Sequence, residues 1–257
     1  MLFLLSPAKS LDYETPTGDL PHTATQFNAR TAELIAVLRE QSPQQIASLM
    51  HLSDPLAALN VARYAAWRPR ATAKNAKQAL LAFNGDVYDG LDAKTLAPDD
   101  IAWAQQHLCI LSGLYGVLRP LDRMQPYRLE MGTALATAKG RNLYQFWGAD
   151  IPEYLNRRLA ADATPVVINL ASQEYFKAVD RKTLKARVVD CVFQDWHDGQ
   201  YKVMGFHAKR ARGLMARFAI TQRIVTPDRL AAFDLGGYVH ETAASDINRL
   251  VFRRRIG

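Results

Sequence analysis

The chain has only two cysteines in 257 residues, Cys109 and Cys191, with neither the short spacing of a redox pair nor that of a zinc knuckle. That fits a reducing compartment better than a disulfide framework, and a cytoplasmic location is expected. No apolar run approaches the roughly 18–20 residues that span a bilayer, so no membrane partner is expected. The opening MLFLLSPAKS lacks a basic start and meets Pro7 and Lys9 immediately after its short apolar run, which reads as a buried first strand rather than an export signal. The histidines, His22, His51, His107, His197, His207 and His240, show neither HExxH nor HxH spacing, and no metal or cofactor is expected. GxGxxG, GxxxxGK[ST] and GxSxG are missing too, which leaves dinucleotide, P-loop and serine-triad chemistry without support. There is no repeat, low-complexity tract or long linker, so residues 1–257 read as a single domain.

What is present is an ordinary globular composition, 49% hydrophobic and 22% charged, with 32 Lys and Arg against 25 Asp and Glu. The resulting formal charge of +7 suits an anionic partner but does not require one. The first half reads as mostly helical. ARTAELIAVLREQ carries Ala32, Ile35, Ala36 and Leu38 at helical spacing, Ser42 followed by Pro43 opens a second helix, and Ser53 or Asp54 caps a third with Leu56, Leu59, Val61 and Tyr64 on its buried face. Acids follow Pro98 in the helix expected over Asp99–Leu111. In the second half, VVINL looks like a strand buried on both faces, and ARVVDCVFQDW and QYKVMGFHA look like strands joined through Asp198-Gly199. A mixed α/β (α+β) fold with a mixed sheet and surrounding helices is expected.

Chemistry is expected where buried strands end, since ligands of open α/β sheets bind outside the carboxyl ends of strands. If LFLL and VVINL are neighbours, Ser6, Lys9, Asn169, Ser172 and Glu174 line one crevice. Ser172 and Asn169 could equally be helix caps. FNGDVYDGL and YRLEMG add Asp86, Tyr88, Tyr127, Arg128 and Glu130, a grouping suited to an anionic or planar ligand such as a nucleotide. In FHAKRARGLMARF, Ala211, Leu214, Met215, Phe218 and Ala219 form a core face, which leaves Lys209, Arg210, Arg212 and Arg217 as a basic cluster without an acid between them. Gly213 lacks a side chain on the Arg210 and Arg217 side, where a backbone, a phosphate or another element can come close. The terminal FRRRIG reads as a tail with at most loose phosphate contact.

The runs SPAK (6–9), GDVYDGL (85–91), LSGLYGVLRPLDRMQPYRLEMG (111–132), LYQFWG (143–148), INLASQEYFK (168–177) and KRARGLMARF (209–218) together resemble the bacterial peroxide stress protein YaaA family. The resemblance implies a cytosolic protein made under hydrogen peroxide stress, limiting iron-dependent damage to DNA. It also implies a single domain of unusual topology, a positively charged cleft, a helix-hairpin-helix-like element and binding of double-stranded DNA. A reaction is not part of what it implies, and the catalytic residues are unknown. On this sequence the hairpin would be Ser112–Gly116, although Gly113 and Gly116 are one residue further apart than in the usual hairpin. The leading expectation is phosphate-dominated DNA binding through Gly113, Gly116, Arg119, Arg123, Arg128, Lys209, Arg210, Arg212 and Arg217. Two alternatives stand beside it: an enzyme acting on a nucleotide or damaged base in the polar crevice, and an iron-handling protein.

Overall fold

The computed structural model describes residues 1–255. Its elements run β1 (Leu2–Leu5), β2 (Ser10–Leu11), α1 (Asn28–Arg39), α2 (Pro43–Met50), α3 (Asp54–Ala66), β3 (Lys77–Gln78), α4 (Ala79–Ala82), β4 (Phe83–Asn84), α5 (Asp86–Leu91), α6 (Pro98–His107), β5 (Leu108–Ser112), β6 (Gly116–Leu118) and β7 (Arg123–Met124). They continue through α7 (Leu143–Trp147), α8 (Asp150–Arg158), β8 (Val166–Leu170), α9 (Gln173–Phe176), β9 (Arg187–His197), β10 (Gln200–Lys202), α10 (Gly205–Thr221), β11 (Val239–His240) and β12 (Arg249–Arg254).

The mixed α/β expectation is what the structure shows. An eight-stranded sheet has the order β11-β12-β9-β8-β1-β5-β6, with β10 paired to β9. β12, β9, β8, β1 and β5 run parallel, and β6, β10 and β11 are antiparallel additions. β1 and β8 are neighbours as the crevice argument requires, with Leu5 opposite Leu170. All four residues of β1 are buried, as expected for a strand covered on both faces. From these two strands the chain turns opposite ways, because the next parallel strand after β1 is β5 on one side and the next after β8 is β9 on the other. That divergence opens a crevice at their carboxyl ends.

Local signals explain most elements. Ser42 accepts the Gln45 N–H while the Gln45 side chain accepts from Ser42 N–H, a full capping box over Pro43. α3 keeps Tyr64 buried but turns Leu56 and Leu59 outward, at 40% and 44% exposure, and buries Ala57 and Asn60 instead. The sequence pattern there fitted two faces, and packing of α1 and α2 against α3 selected the smaller one. The helix expected over Asp99–Leu111 stops at His107, and Leu108–Ser112 becomes a fully buried strand. In that four-residue apolar run, pairing with β1 outweighs helix propensity. QYKVMGFHA keeps only Gln200–Lys202 as strand, after a turn in which Asp198 and Gly199 both have positive φ. FRRRIG is not a loose tail over its described part: Arg253 and Arg254 lie in β12, and Arg254 pairs with the buried Asp195 at 2.6 Å.

The helix crossing that shapes the site is α5 against α10. A Cβ on Gly213 would fall 1.8 Å from Val87 O, and one on Gly90 would fall 2.1 Å from Arg210 O. Each glycine thus faces the other helix's backbone, the close approach anticipated for Gly213. Gly213→Ala is expected to cost about 3 kcal/mol or more, because backbone rather than a flexible side chain blocks the methyl. Gly205→Ala, with open space around the new Cβ, is expected to change stability by less than about 0.5 kcal/mol. Urea unfolding of the two variants checks this, and equal midpoints would contradict the contact.

Candidate ligand cleft at the strand ends

β1 delivers Ser6 to the switch point, and Ser6 Oγ accepts the Ser172 N–H at 2.8 Å, joining the ends of β1 and β8. Ser172 Oγ lies 3.3 Å from Ser6 Oγ and also accepts the Tyr175 N–H as the cap of α9. Ser172 therefore fills both the cap and the crevice readings. Around this joint lies a cleft of about 420 Å³ lined by Ser6, Lys9, Asp86, Glu130, Ser172, Glu174, Lys209 and Arg212. Five of the expected pocket residues besides Lys9 (Ser6, Asp86, Glu130, Ser172, Glu174) thus share one space with two cations expected on a DNA surface.

Three elements set its charges. Glu130 Oε1 accepts from Arg128 Nε at 3.1 Å and faces Lys9 Nζ at 3.4 Å. Glu174 accepts the Gly132 N–H at 2.9 Å, and a side chain at position 132 would crowd that carboxylate. Asp86 opens α5 and lies 3.9 Å from Lys209. Arg212 differs from the rest. Its Nε is buried without a hydrogen-bond partner, and it forms no ion pair among the described residues. Burial lowers its pKa from the ordinary arginine value, with the Cys191 thiol opposing. A guanidinium in that position keeps its charge and has donors to spare.

Other expected residues lie elsewhere. Tyr88 is buried behind the wall and donates to Ser6 O at 3.1 Å, while Tyr127 shares a 2.6 Å hydrogen bond with Ser112 Oγ. Burial raises both phenols well above their usual range, as it does Tyr175 at the cleft wall, so these rings act as neutral donors rather than bases. Asn169 does not reach the cleft: its amide donates to Asp190 and its oxygen accepts the Ala171 N–H. Ser10, Asn84 and Tyr175 also line the cleft and were not anticipated. Asn84 comes there because β4 pairs with β2, Ser10 opposite Asn84, a two-residue pairing with no periodic signal.

The expected DNA set does not form one surface. Ser112–Gly116 joins β5 to β6, so the segment is strand-turn-strand and no helix-hairpin-helix occurs there. Gly113 and Gly116 are buried, the first against Leu129 O and the second, at φ +68°, under the Trp147 ring. The Arg119 side chain is spent on Asp122 and Ala24 O, and Arg217 donates to Leu91 O and Asp92 O at the end of α5. Arg128 is held by Glu130, Arg212 faces the cleft, and Arg123 faces a different pocket. Lys209 and Arg210 remain exposed.

A model of the family described as peroxide stress protein YaaA matches residues 1–244. The chain belongs to the peroxide stress protein YaaA family. Similar proteins called UPF0246 protein include one from Paracidovorax citrulli, 68% identical over 256 residues and 99% of both chains. Another from Albidiferax ferrireducens is 67% identical over 99% of this chain and 98% of its own, and one from Polaromonas naphthalenivorans is 65% identical over the whole of both. For a member of a peroxide stress family, the cysteines matter. Both are buried, and burial pushes the Cys109 thiol up to about 11 and raises that of Cys191 as well. Neither is placed as a thiolate that attacks peroxide. Among the described residues no group of three or more His, Cys, Asp and Glu side chains is arranged to hold a metal ion, and no helix is long and apolar enough to cross a membrane.

The unpaired Arg212 and the paired Arg254 should respond oppositely to the same change. Arg254→Met leaves Asp195 buried without its cation and is expected to cost roughly 3–5 kcal/mol. Arg212→Met removes a charge that has no partner, and stability is expected to hold within about 0.5 kcal/mol or to rise. Thermal unfolding without ligand checks the pair; a comparable loss in both would make Arg212 a structural residue.

Proposed function

We propose that this peroxide stress family member works by binding a compact ligand of the nucleotide class in the cleft at the ends of β1 and β8. The observation that supports it most is Arg212, an unpartnered cation beside Lys9 and Lys209 in a space that also presents Asp86, Glu130 and Glu174. Arginine suits a phosphate through its planar donors, and the carboxylates suit the amino and hydroxyl groups of a base or sugar. A volume of about 420 Å³ is in the range of small-molecule sites. Protection of DNA from iron-driven oxidation belongs to this proposal through the family and would be exerted on, or reported by, that nucleotide.

The same cleft limits the chemistry available to an enzyme. Ser6 and Ser172 are hydrogen-bonded to each other and to backbone N–H groups, and neither hydroxyl is hydrogen-bonded to a histidine, lysine or carboxylate that would activate it as a nucleophile. Glu130 and Glu174 could move protons, Glu130 under the control of Arg128 and Lys9. Acid–base chemistry on a bound nucleotide or base is thus the reaction class the residues support.

A second reading keeps contact with DNA but narrows it. Phe206 is 64% exposed one turn before the exposed Lys209 and Arg210 on α10, a pairing that suits a stacked base and its phosphate beside the cleft. Calorimetry with nucleoside monophosphates separates the two. Binding that weakens at least about tenfold in Arg212→Gln and is unchanged in Arg210→Gln supports the cleft. No nucleotide binding, with affinity for DNA falling steeply with salt and depending on Arg210, would replace it with the surface reading.

A further inference from the structure

A second pocket, sharing no residue with the first, has a volume of about 560 Å³ and is lined by His22, Asn28, Trp67, Arg70, Arg123 and Gln125 among others. No aspartate or glutamate lines it. Arg123 Nε is buried without a hydrogen-bond partner, and neither Arg123 nor Arg70 forms an ion pair among the described residues. The nearest acid in sequence, Asp122, is fully buried and committed: it accepts from Arg119 and from Thr23 Oγ1 at 2.6 Å. Arg123 is therefore kept from the one carboxylate beside it.

The walls are tied together as in a built site. Thr23 N–H donates to Leu121 O at 2.8 Å and Arg123 N–H to Thr23 O at 2.9 Å, which locks the 20–28 loop to the 119–125 segment. The Gln125 side chain accepts the Arg68 N–H and donates back to Arg68 O, which fixes the chain that carries Arg70. Trp67 Nε1–H donates to Tyr115 OH at 3.3 Å, so that ring is held as well. The buried, unpartnered Nε of Arg123 gains from an anion that offers several acceptor oxygens, and the exposed Arg70 at the rim adds a second positive charge.

We infer that this pocket is a second, independent site for a small phosphate-bearing molecule, with Arg123 and Arg70 as its anion-binding residues. The site is distinct from the nucleotide cleft, and its occupancy does not depend on Arg212.

Calorimetric titration with inorganic pyrophosphate tests it on the full chain. The wild type is expected to bind, Arg212→Gln to retain a pyrophosphate site, and Arg123→Gln and Arg70→Gln each to weaken that site at least about tenfold. Arg70 is exposed, so its variant reports binding even if Arg123→Gln is unstable; circular dichroism melting monitors both. Undiminished pyrophosphate binding in Arg70→Gln together with a folded Arg123→Gln overturns the inference, as does the absence of any binding that survives Arg212→Gln. A third arm uses a short DNA duplex. If Arg123→Gln weakens duplex binding while the wild type ignores pyrophosphate, the pocket is a strand contact and the inference fails. Failure of the nucleotide cleft shows instead as loss of the Arg212-dependent nucleotide signal alone, so the two outcomes are separable.

Discussion

The backbone contact between α5 and α10 at Gly90 and Gly213 is the constraint on which the cleft depends. Each glycine faces the partner helix's backbone, so the two helices cross closer than side chains would allow. Asp86 opens one helix and Lys209 and Arg212 stand on the other, and the crossing sets all three beside the ends of β1 and β8. Arg217, donating to the last carbonyls of α5, holds the same junction from the far side. GDVYDGL and KRARGLMARF, more than a hundred residues apart, form one structural unit through this contact.

Much of the cleft was legible because its residues follow apolar strands. LFLL and VVINL are buried on both faces, and a polar residue directly after such a strand has few places to go except the rim of the sheet. Ser6, Lys9, Ser172 and Glu174 were found that way. Gly213 was legible as a missing side chain on a helix face, although the sequence could not say that the approaching backbone would be Val87 and Leu91. What escaped was decided by partners far along the chain. Leu108–Ser112 continues a helix in pattern and is a strand only because β1 lies beside it. Asn84 reaches the cleft through a two-residue pairing that leaves no periodic trace. The arginines show the limit most clearly: Arg119, Arg128, Arg212, Arg217 and Arg254 look alike in sequence, but four have internal acceptors and one does not.

This distribution changes how the net charge of +7 is read. Many of the cations are spent inside the fold, on carboxylates or on backbone carbonyls at element ends, and contribute to structure rather than to a surface field. Others without an acid partner line pockets, Arg212 in the cleft and Arg123 and Arg70 in the second pocket. Small enclosed anions, more than an extended polyanion, match cations set in pockets. Both thiols are buried and raised in pKa, which disfavours the thiolate at either cysteine.

We propose that Arg212 is left unpaired within the fold because it meets an anionic ligand at the sheet's switch point. A crystal structure of the protein grown with a nucleoside monophosphate tests it directly. Phosphate oxygens are expected within hydrogen-bonding distance, about 3 Å, of the Arg212 guanidinium, with the remainder of the ligand against Glu130 or Glu174. A nucleotide bound only on the exposed face of α10 at Lys209 and Arg210, with Arg212 still unpartnered, would contradict it.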